Sequence, residues 1–444
     1  MEYLSLANAA VQIAKRMGSY AAEAYVLDAK SLTIEVANNE LETLKFSEDR
    51  GIGLRVISDR GTVGFAYSTN FNQLGDLAGQ ALANSQYSFT DPYHGLPQNV
   101  STNFEIQLWN ETIAAATVEE KIEMAKQIEQ SAQAADSRIT RTERCGYEDA
   151  AYGVALANSN GLAHYYRSGY CGLYGVVLAE QNGDVQTGTG LLYTRNFAKL
   201  NPEEVGKEAA WNAGLLLGAK RIHTVKAAVV LPPYIAASFC SVLIPALCAD
   251  SVQKGRSIFK NKLGQKVVSS LFTLTDDGRL ADGIATCPVD GEGVPTGKHD
   301  LIIDGVLNQY LYNTYTAKKD GVSSTGNGMR GSFKTMPEVG PTNIYIQPGT
   351  TPREKLIAEV QNGFYVTNVM GMHTANPISG DFSVGAAGVW IKNGQMTQPV
   401  RGVAIAGNIL DLFAGIDGVG NDLRFFGAKG APTLRLDRVT VSGS

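Results

Sequence analysis

The chain has 444 residues, 44% of them hydrophobic and 18% charged, with a formal net charge of −5. That length holds two or three domains with sizeable cores, and that balance excludes a disordered chain. The basic residues are scattered, with no K/R-rich run, which excludes a surface built to neutralise nucleic-acid phosphates.

Residues 3–17 carry helical periodicity, with Leu4, Leu6, Ala7, Val11, Ile13 and Ala14 on or near one face. This start lacks a basic n-region followed by an apolar core, so it reads as an amphipathic helix and not a signal peptide. After Gly18 the pattern changes to strands at 22–30, 32–40, 51–58 and 62–68, the last two joined by the turn Asp59-Arg60-Gly61. A helix over 71–87 closes a first α+β unit, taken as a domain over 1–90, and a Pro/Ser/Thr/Asn-rich stretch opens a linker over 91–115. A second α+β unit spans 116–220. Its first helix, 116–136, is entered through Thr117, with Glu120 three residues on to complete a capping box. Strands follow at 139–146, 151–157, 162–168, 173–182 and 188–195, and a helix at 201–217 ends the unit.

Residues 221–444 are Gly-dense and rich in short strands, as in a twisted sheet or barrel-like domain. Strands are expected at 299–305, 342–349, 384–394, 401–408 and 432–443, with one helix over 351–363. The fold class is therefore α+β: antiparallel sheets with flanking helices, then a β-rich domain. The uncharged run VVLPPYIAASFCSVLIPALCA (229–249) contains Pro232, Pro233 and Pro245 and has no second span to pair with, so it reads as a buried, kinked helix and not a membrane span. Five cysteines without regular spacing suit a reducing compartment, and cytoplasmic is the expected location.

Residue chemistry alone yields no active site. None of His94, His164, His223, His299 and His373 belongs to H-E-x-x-H or H-x-H, and no C-x-x-C occurs. Cys240 and Cys248 lie eight apart, about 80° off one helical face, with Pro245 between them, which favours buried thiols over a metal pair. Ser251-x-x-Lys254 and Ser257-x-x-Lys260 match S-x-x-K without the companion motifs of penicillin-binding enzymes. Gly326-x-Gly328-x-x-Gly331 has no helix after it to hold a pyrophosphate. Asp276, Asp277, Asp290, Glu292 and Asp381 sit in Gly-rich loops, where turn formation alone explains them.

Several long stretches resemble the TldD/PmbA family, also labelled modulator of DNA gyrase or peptidase family U62. They are DRGIGLRVISDRGTVGFAYSTN (49–70), LFTLTDDGRL (271–280), PVDGEGVPT (288–296), GVLNQYLYNTYTAKKDGVSSTGNGMRG (305–331), NPISGDFSVGAAGVWIKNGQMTQPV (376–400) and IAGNILDLFAGIDGVGND (405–422). The TldD branch implies H-E-x-x-x-H on a helix after a buried strand and a later cysteine, which together hold Zn²⁺ for peptide hydrolysis. Here that helix reads AASFCSVLIPALCADSVQKGRS, with Cys240, Ser241, Ile244, Pro245 and Cys248 in place of ligands, and the cysteine loop is missing.

The resemblance therefore implies the PmbA/TldE-like branch. Such a chain is a non-catalytic subunit with no metal or cofactor of its own, and zinc is expected only in a TldD-type partner. The pair would enclose an unfolded peptide for processing or degradation, with Asn327, Arg330, Asp381 and Ser383 as wall residues, or as residues whose hydrogen bonds only fix their loops. The alternative is a metal-free homodimeric peptide-binding or regulatory protein, the modulator of the family label. A peptidase using Cys240 or Cys248 as nucleophile lacks a base nearby in sequence. Neither nucleic acid nor membrane is an expected partner.

Overall fold

The computed structural model describes residues 2–101 and 103–443. Thr102, within the expected linker, lies outside the described residues, as do the terminal Met1 and Ser444. Helix α1 (Glu2–Arg16) leads into β1 (Ala21–Ala37), β2 (Glu40–Ile57), β3 (Val63–Ser68) and α2 (Leu74–Ser85). A short α3 (Glu111–Ala115) and α4 (Val118–Ala135) precede β4 (Ile139–Asn158), β5 (Ala163–Gln181), β6 (Asp184–Thr194) and α5 (Pro202–Gly214).

The expected pairs of short strands are in fact single long ones. β1 runs through Lys30 and Ser31 because its chain reversal comes later, at Asn38 and Asn39, both with φ near the left-handed region (54° and 59°). β4 and β5 likewise fuse the segments expected at 139–157 and 162–182. β1 pairs antiparallel with β4 over most of its length, so the two N-terminal units share one six-stranded sheet, in the order β3-β2-β1-β4-β5-β6. Helices α1 and α2 cover one part of it around Val11, Leu54 and Leu77, and α4 and α5 cover another around Ile34, Ile128 and Ala209. The Thr117 cap forms as expected: its Oγ1 accepts from Glu120 N at 3.2 Å and Glu120 Oε2 accepts from Thr117 N at 2.7 Å.

The C-terminal half begins with β7 (Val225–Leu231), α6 (Pro233–Cys240), α7 (Ile244–Leu247) and α8 (Ala249–Gln253). Strands β8 (Leu274–Asp277), β9 (Lys298–Ile303), β10 (Val306–Leu307), β11 (Gly328–Met329), β12 (Glu338–Val339) and β13 (Ile344–Ile346) follow. The chain ends with β14 (Asn362–Met370), β15 (Asp381–Lys392), β16 (Gln395–Asn408), β17 (Ile416–Val419), β18 (Arg424–Phe426), β19 (Lys429–Ala431) and β20 (Leu434–Ser442). Strands β16-β15-β14-β7-β20 close into a five-stranded barrel through the β16–β20 pairing, so the barrel-like expectation holds. A second sheet runs β10-β9-β8-β13-β19-β18. The helix expected over 351–363 is shorter, Arg353–Ala358, because Asn362 and Gly363 already belong to β14.

The proline-bearing helix is broken rather than merely kinked. α6 ends at Cys240, Ser241–Leu243 form a turn, and Pro245 sits in the first turn of α7, where its missing N–H costs nothing. Phe239, Leu243, Ala246 and Leu247 are fully buried against the barrel core. No helix among the described residues is long and apolar enough to cross a membrane.

Candidate functional site

A cavity of about 530 Å³ opens where the N-terminal sheet meets the barrel half. One wall is β6, the edge strand of its sheet, with α5 behind it. Gly188 and Gly190 let α5 sit directly on that strand: a Cβ at either would lie 2.2 Å from backbone atoms of Val205, Ala209 or Ala213. The opposite walls are the start of α6, the middle of β14 and the edge strand β18.

Three aromatic side chains rim the opening, Trp211 and Tyr234 exposed and Phe426 half-buried. The Tyr234 and Phe426 rings meet edge to face at 5.2 Å. Arg424 pairs with Glu208 through both carboxylate oxygens, NH2 to Oε2 at 3.1 Å, and that carboxylate raises the guanidinium pKa. With Arg353 against Glu354 and Asp422, the lining is close to balanced in charge. The surface is therefore concave, aromatic at its rim and polar inside, the chemistry of a ligand pocket.

The residues expected to face a peptide lie elsewhere. Asn327 is buried and fixes its own loop: Nδ2 donates to Asp276 Oδ2 at 2.8 Å and to Gly340 O at 2.9 Å. Arg330 donates to the Gly291 carbonyl at 2.7 Å, pairs with Glu23 and stacks over the Tyr25 ring. Asp381 and Ser383 are exposed on β15, where Asn408 Nδ2 donates to Asp381 at 3.1 Å. The hydrogen bonds from Ser379 and then Asn408 hold the Asp381 carboxyl low. None of the four lines the cavity.

Two features carry no sequence motif. The cavity residues come from six separate elements spread between Thr187 and Phe426, with no motif that joins them. The second feature is a buried ionic cluster at the seam of the two halves, in which Arg55 donates to Glu23 at 2.8 Å and to Glu292 at 3.2 Å. Asp290, beside it, accepts from Gly328 N, Glu292 N and Val294 N. Burial, then the neighbouring Glu292, pushes the Asp290 carboxyl up, while those three N–H groups oppose the shift. Asp276, which lies on β8 and not in a loop, and the loop carboxylates Asp290 and Glu292 are thus buried and hydrogen-bonded, not turn formers alone.

Against known proteins, three family models match in order. They are the PmbA/TldA metallopeptidase domain 1 over residues 22–85, the central domain over 111–217 and the C-terminal domain over 224–443. The chain belongs to the PmbA/TldD metallopeptidase family. The metalloprotease PmbA of Escherichia coli O157:H7 is 32% identical over 435 residues, covering 95% of this chain and 92% of that protein. The metalloprotease TldD homolog of Haemophilus influenzae is 29% identical over 434 residues, covering 90% of this chain and 88% of that one. A Thermotoga maritima structure named as a modulator of a DNA gyrase superposes with a TM-score of 0.92 at 29% identity, covering 99% of this chain and 100% of that one. TldE from Thermococcus kodakarensis shares the fold, with a TM-score of 0.91 at 21% identity over 99% of this chain and 100% of that one.

A metallopeptidase family implies a metal, and the donors of α6 and α7 do not fit one. Cys240 and Cys248 are both buried, and burial pushes each thiol up to about 12, so the thiolate a metal needs is disfavoured. Ser241 Oγ is spent on the Ala237 carbonyl at 2.9 Å, and Ile244 and Pro245 offer no donor. Among the described residues no three His, Cys, Asp or Glu side chains converge as a metal site.

Proposed function

We propose that this PmbA/TldD family member is the PmbA/TldE-like subunit of a cytoplasmic zinc peptidase, non-catalytic by itself, which binds unfolded peptide and presents it to a TldD-type partner. One observation carries the reading: Cys240, Ser241, Ile244, Pro245 and Cys248, in the segment where the family resemblance places zinc ligands, offer only buried thiols, a back-bonded hydroxyl and apolar side chains, yet a peptide-sized cavity remains open at the start of the same α6. In this reading the zinc, its activated water and the cleavage step belong to the partner, and this chain supplies wall and orientation.

The test is to purify the chain alone and with a TldD-type partner, then measure bound zinc by elemental analysis and cleavage of an unstructured peptide. The expected result is zinc and chelator-sensitive cleavage only in the pair. Stoichiometric zinc in the lone chain, or chelator-sensitive cleavage by it, would sink the proposal.

A further inference from the structure

A short strap crosses the seam of the two halves beside the buried ionic cluster. Residues 91–97, in the segment between the two N-terminal units, are bonded on one side to those units. Asp91 N donates to Gly61 O at 3.3 Å, and the turn between β4 and β5 holds the far end, Asn158 Nδ2 donating to Pro97 O at 3.0 Å and Asn160 Nδ2 to Leu96 O at 3.2 Å. On the other side the strap meets α9 (Thr314–Asp320) of the barrel half. Tyr315 Oη donates to Asp91 Oδ2 at 2.7 Å, and Lys318 Nζ donates to Pro92 O at 2.7 Å and to His94 O at 3.2 Å. The His94 ring stacks on the Tyr315 ring at 4.9 Å. Helix α9 is itself tied to the cluster, because Thr314 N donates at 2.7 Å to Glu292, the carboxylate that also takes Arg55.

His94 is the group of the strap whose charge changes near neutral pH. Among the described residues its ring nitrogens have no hydrogen-bond partner, so the stack on Tyr315 is what seats the ring. The charges around it are unequal. On the strap, Asp91 favours a proton on His94, but its carboxylate is already engaged by Tyr93 N at 2.9 Å and by the Tyr315 hydroxyl. Against the proton stand Arg55 of β2 and Lys318 of α9, with Lys319 over the Tyr315 ring at 5.4 Å. Arg55 has no spare counter-charge: its NH2 is shared between Glu23 and Glu292, and its buried Nε has no acceptor among the described residues. Burial, and then Arg55 and Lys318, outweigh Asp91 and hold the imidazole below the ordinary histidine value. Burial alone would raise the Asp91 carboxyl, but the bonds from Tyr93 N and Tyr315 Oη leave it below the usual carboxylate range, so Asp91 stays ionised while His94 titrates.

We infer that residues 91–97 form a pH-controlled clasp: with His94 neutral the strap locks the N-terminal sheet to α9, and a proton on His94 sets a cation against Arg55 and Lys318 and releases it. A freed strap takes up the proton near about pH 6.5, as an ordinary histidine does, whereas the closed strap resists it. Closure is therefore fully favoured above that pH and is lost progressively as pH falls below it. The cavity walls belong to the same two halves, so the clasp governs how firmly those walls are held together.

The experiment is hydrogen–deuterium exchange on the full chain at pH 7.5, 6.5 and 5.5, each rate divided by the intrinsic rate at that pH. Protection over residues 88–100 should fall at least fivefold from pH 7.5 to 5.5, while that of α4 stays within twofold. In His94→Phe, which keeps a ring on Tyr315 but takes no proton, strap protection should be flat with pH. Protection that does not fall in the parent chain, or that falls equally in His94→Phe, overturns the clasp. Should that variant fail to fold, carbon-13 NMR of labelled histidines in the parent decides, with the His94 signal assigned by its loss in His94→Gln. A titration midpoint below the ordinary histidine value of about 6.5 is expected, and one at or above it overturns the clasp.

Discussion

Glu23 and Arg55 stand directly opposite each other on β1 and β2, 2.8 Å apart and buried, and each has a second partner in the barrel half: Glu23 takes Arg330, Arg55 takes Glu292. The four charges balance, which is what lets them stay buried at the seam. Removing one leaves an uncompensated charge out of water. Glu23→Ala is expected to lower stability by about 3–5 kcal/mol, read by urea unfolding. A loss under about 1 kcal/mol would mean that water already screens the cluster.

Arg195, just after β6, is a buried guanidinium bonded chiefly to carbonyls. It reaches Gly283 O and Leu108 O at 2.8 Å, Ile284 O at 2.9 Å, Thr286 O at 3.0 Å and Ser168 Oγ at 2.8 Å. It thereby ties the inter-unit segment, the N-terminal sheet and a loop of the barrel half at one point. Arg195→Met is expected to cost at least about 3 kcal/mol, since several buried acceptors lose their donor together. Limited proteolysis should then cut near Leu108 faster than in the parent chain. An unchanged digestion pattern would show that the segment is held by other contacts.

These two knots mark the boundary of what the sequence shows. The Thr117–Glu120 box was legible because it is settled within four residues. The barrel-like half showed in Gly-dense alternation. The pairing of β1 with β4 did not, because the partners lie more than 100 residues apart and nothing local distinguishes a long strand from two short ones joined by a turn. Asp290 and Glu292 read as turn residues for the same reason: their partners Arg55 and Gly328 come from distant strands. At the candidate site, the lack of zinc donors on the α6–α7 segment was plain, whereas the cavity was not. Trp211, Tyr234 and Phe426 are brought together only by the meeting of a helix, a helix start and an edge strand.

Asp276 gives a pH signature. It lies on β8 with no exposure, accepting from Asn327 Nδ2, Thr342 N and Thr342 Oγ1. Burial, the largest influence, pushes its carboxyl up to about 6 in spite of those hydrogen bonds. An unfolded aspartate titrates near about 3.9. Between those values the folded chain keeps a proton that the unfolded chain releases, so this group's contribution to stability is greatest below about pH 4 and is lost as pH rises to about 6. The stability difference between the parent chain and Asp276→Asn should shift against the parent by about 2 kcal/mol from pH 4 to 6.5. A difference flat with pH would show that the hydrogen bonds cancel the burial cost.

Cys240 and Cys248 separate the readings of function most directly. Both thiols are buried and disfavour ionisation, and Cys248 Sγ already lies 3.5 Å from the Ile244 carbonyl. A nucleophile needs a thiolate, an adjacent base and access, and burial works against both the thiolate and the approach for each of these thiols. In the folded chain at pH 7.5, iodoacetamide should leave both unlabelled, and unfolding in urea should expose both. Cys240→Ala and Cys248→Ala should each cost about 1–2 kcal/mol of packing while leaving peptide cleavage by the complex with a TldD-type partner within twofold. Loss of cleavage in either alanine variant, with zinc in the partner unchanged, would transfer the chemistry to this chain and overturn its assignment as the non-catalytic subunit.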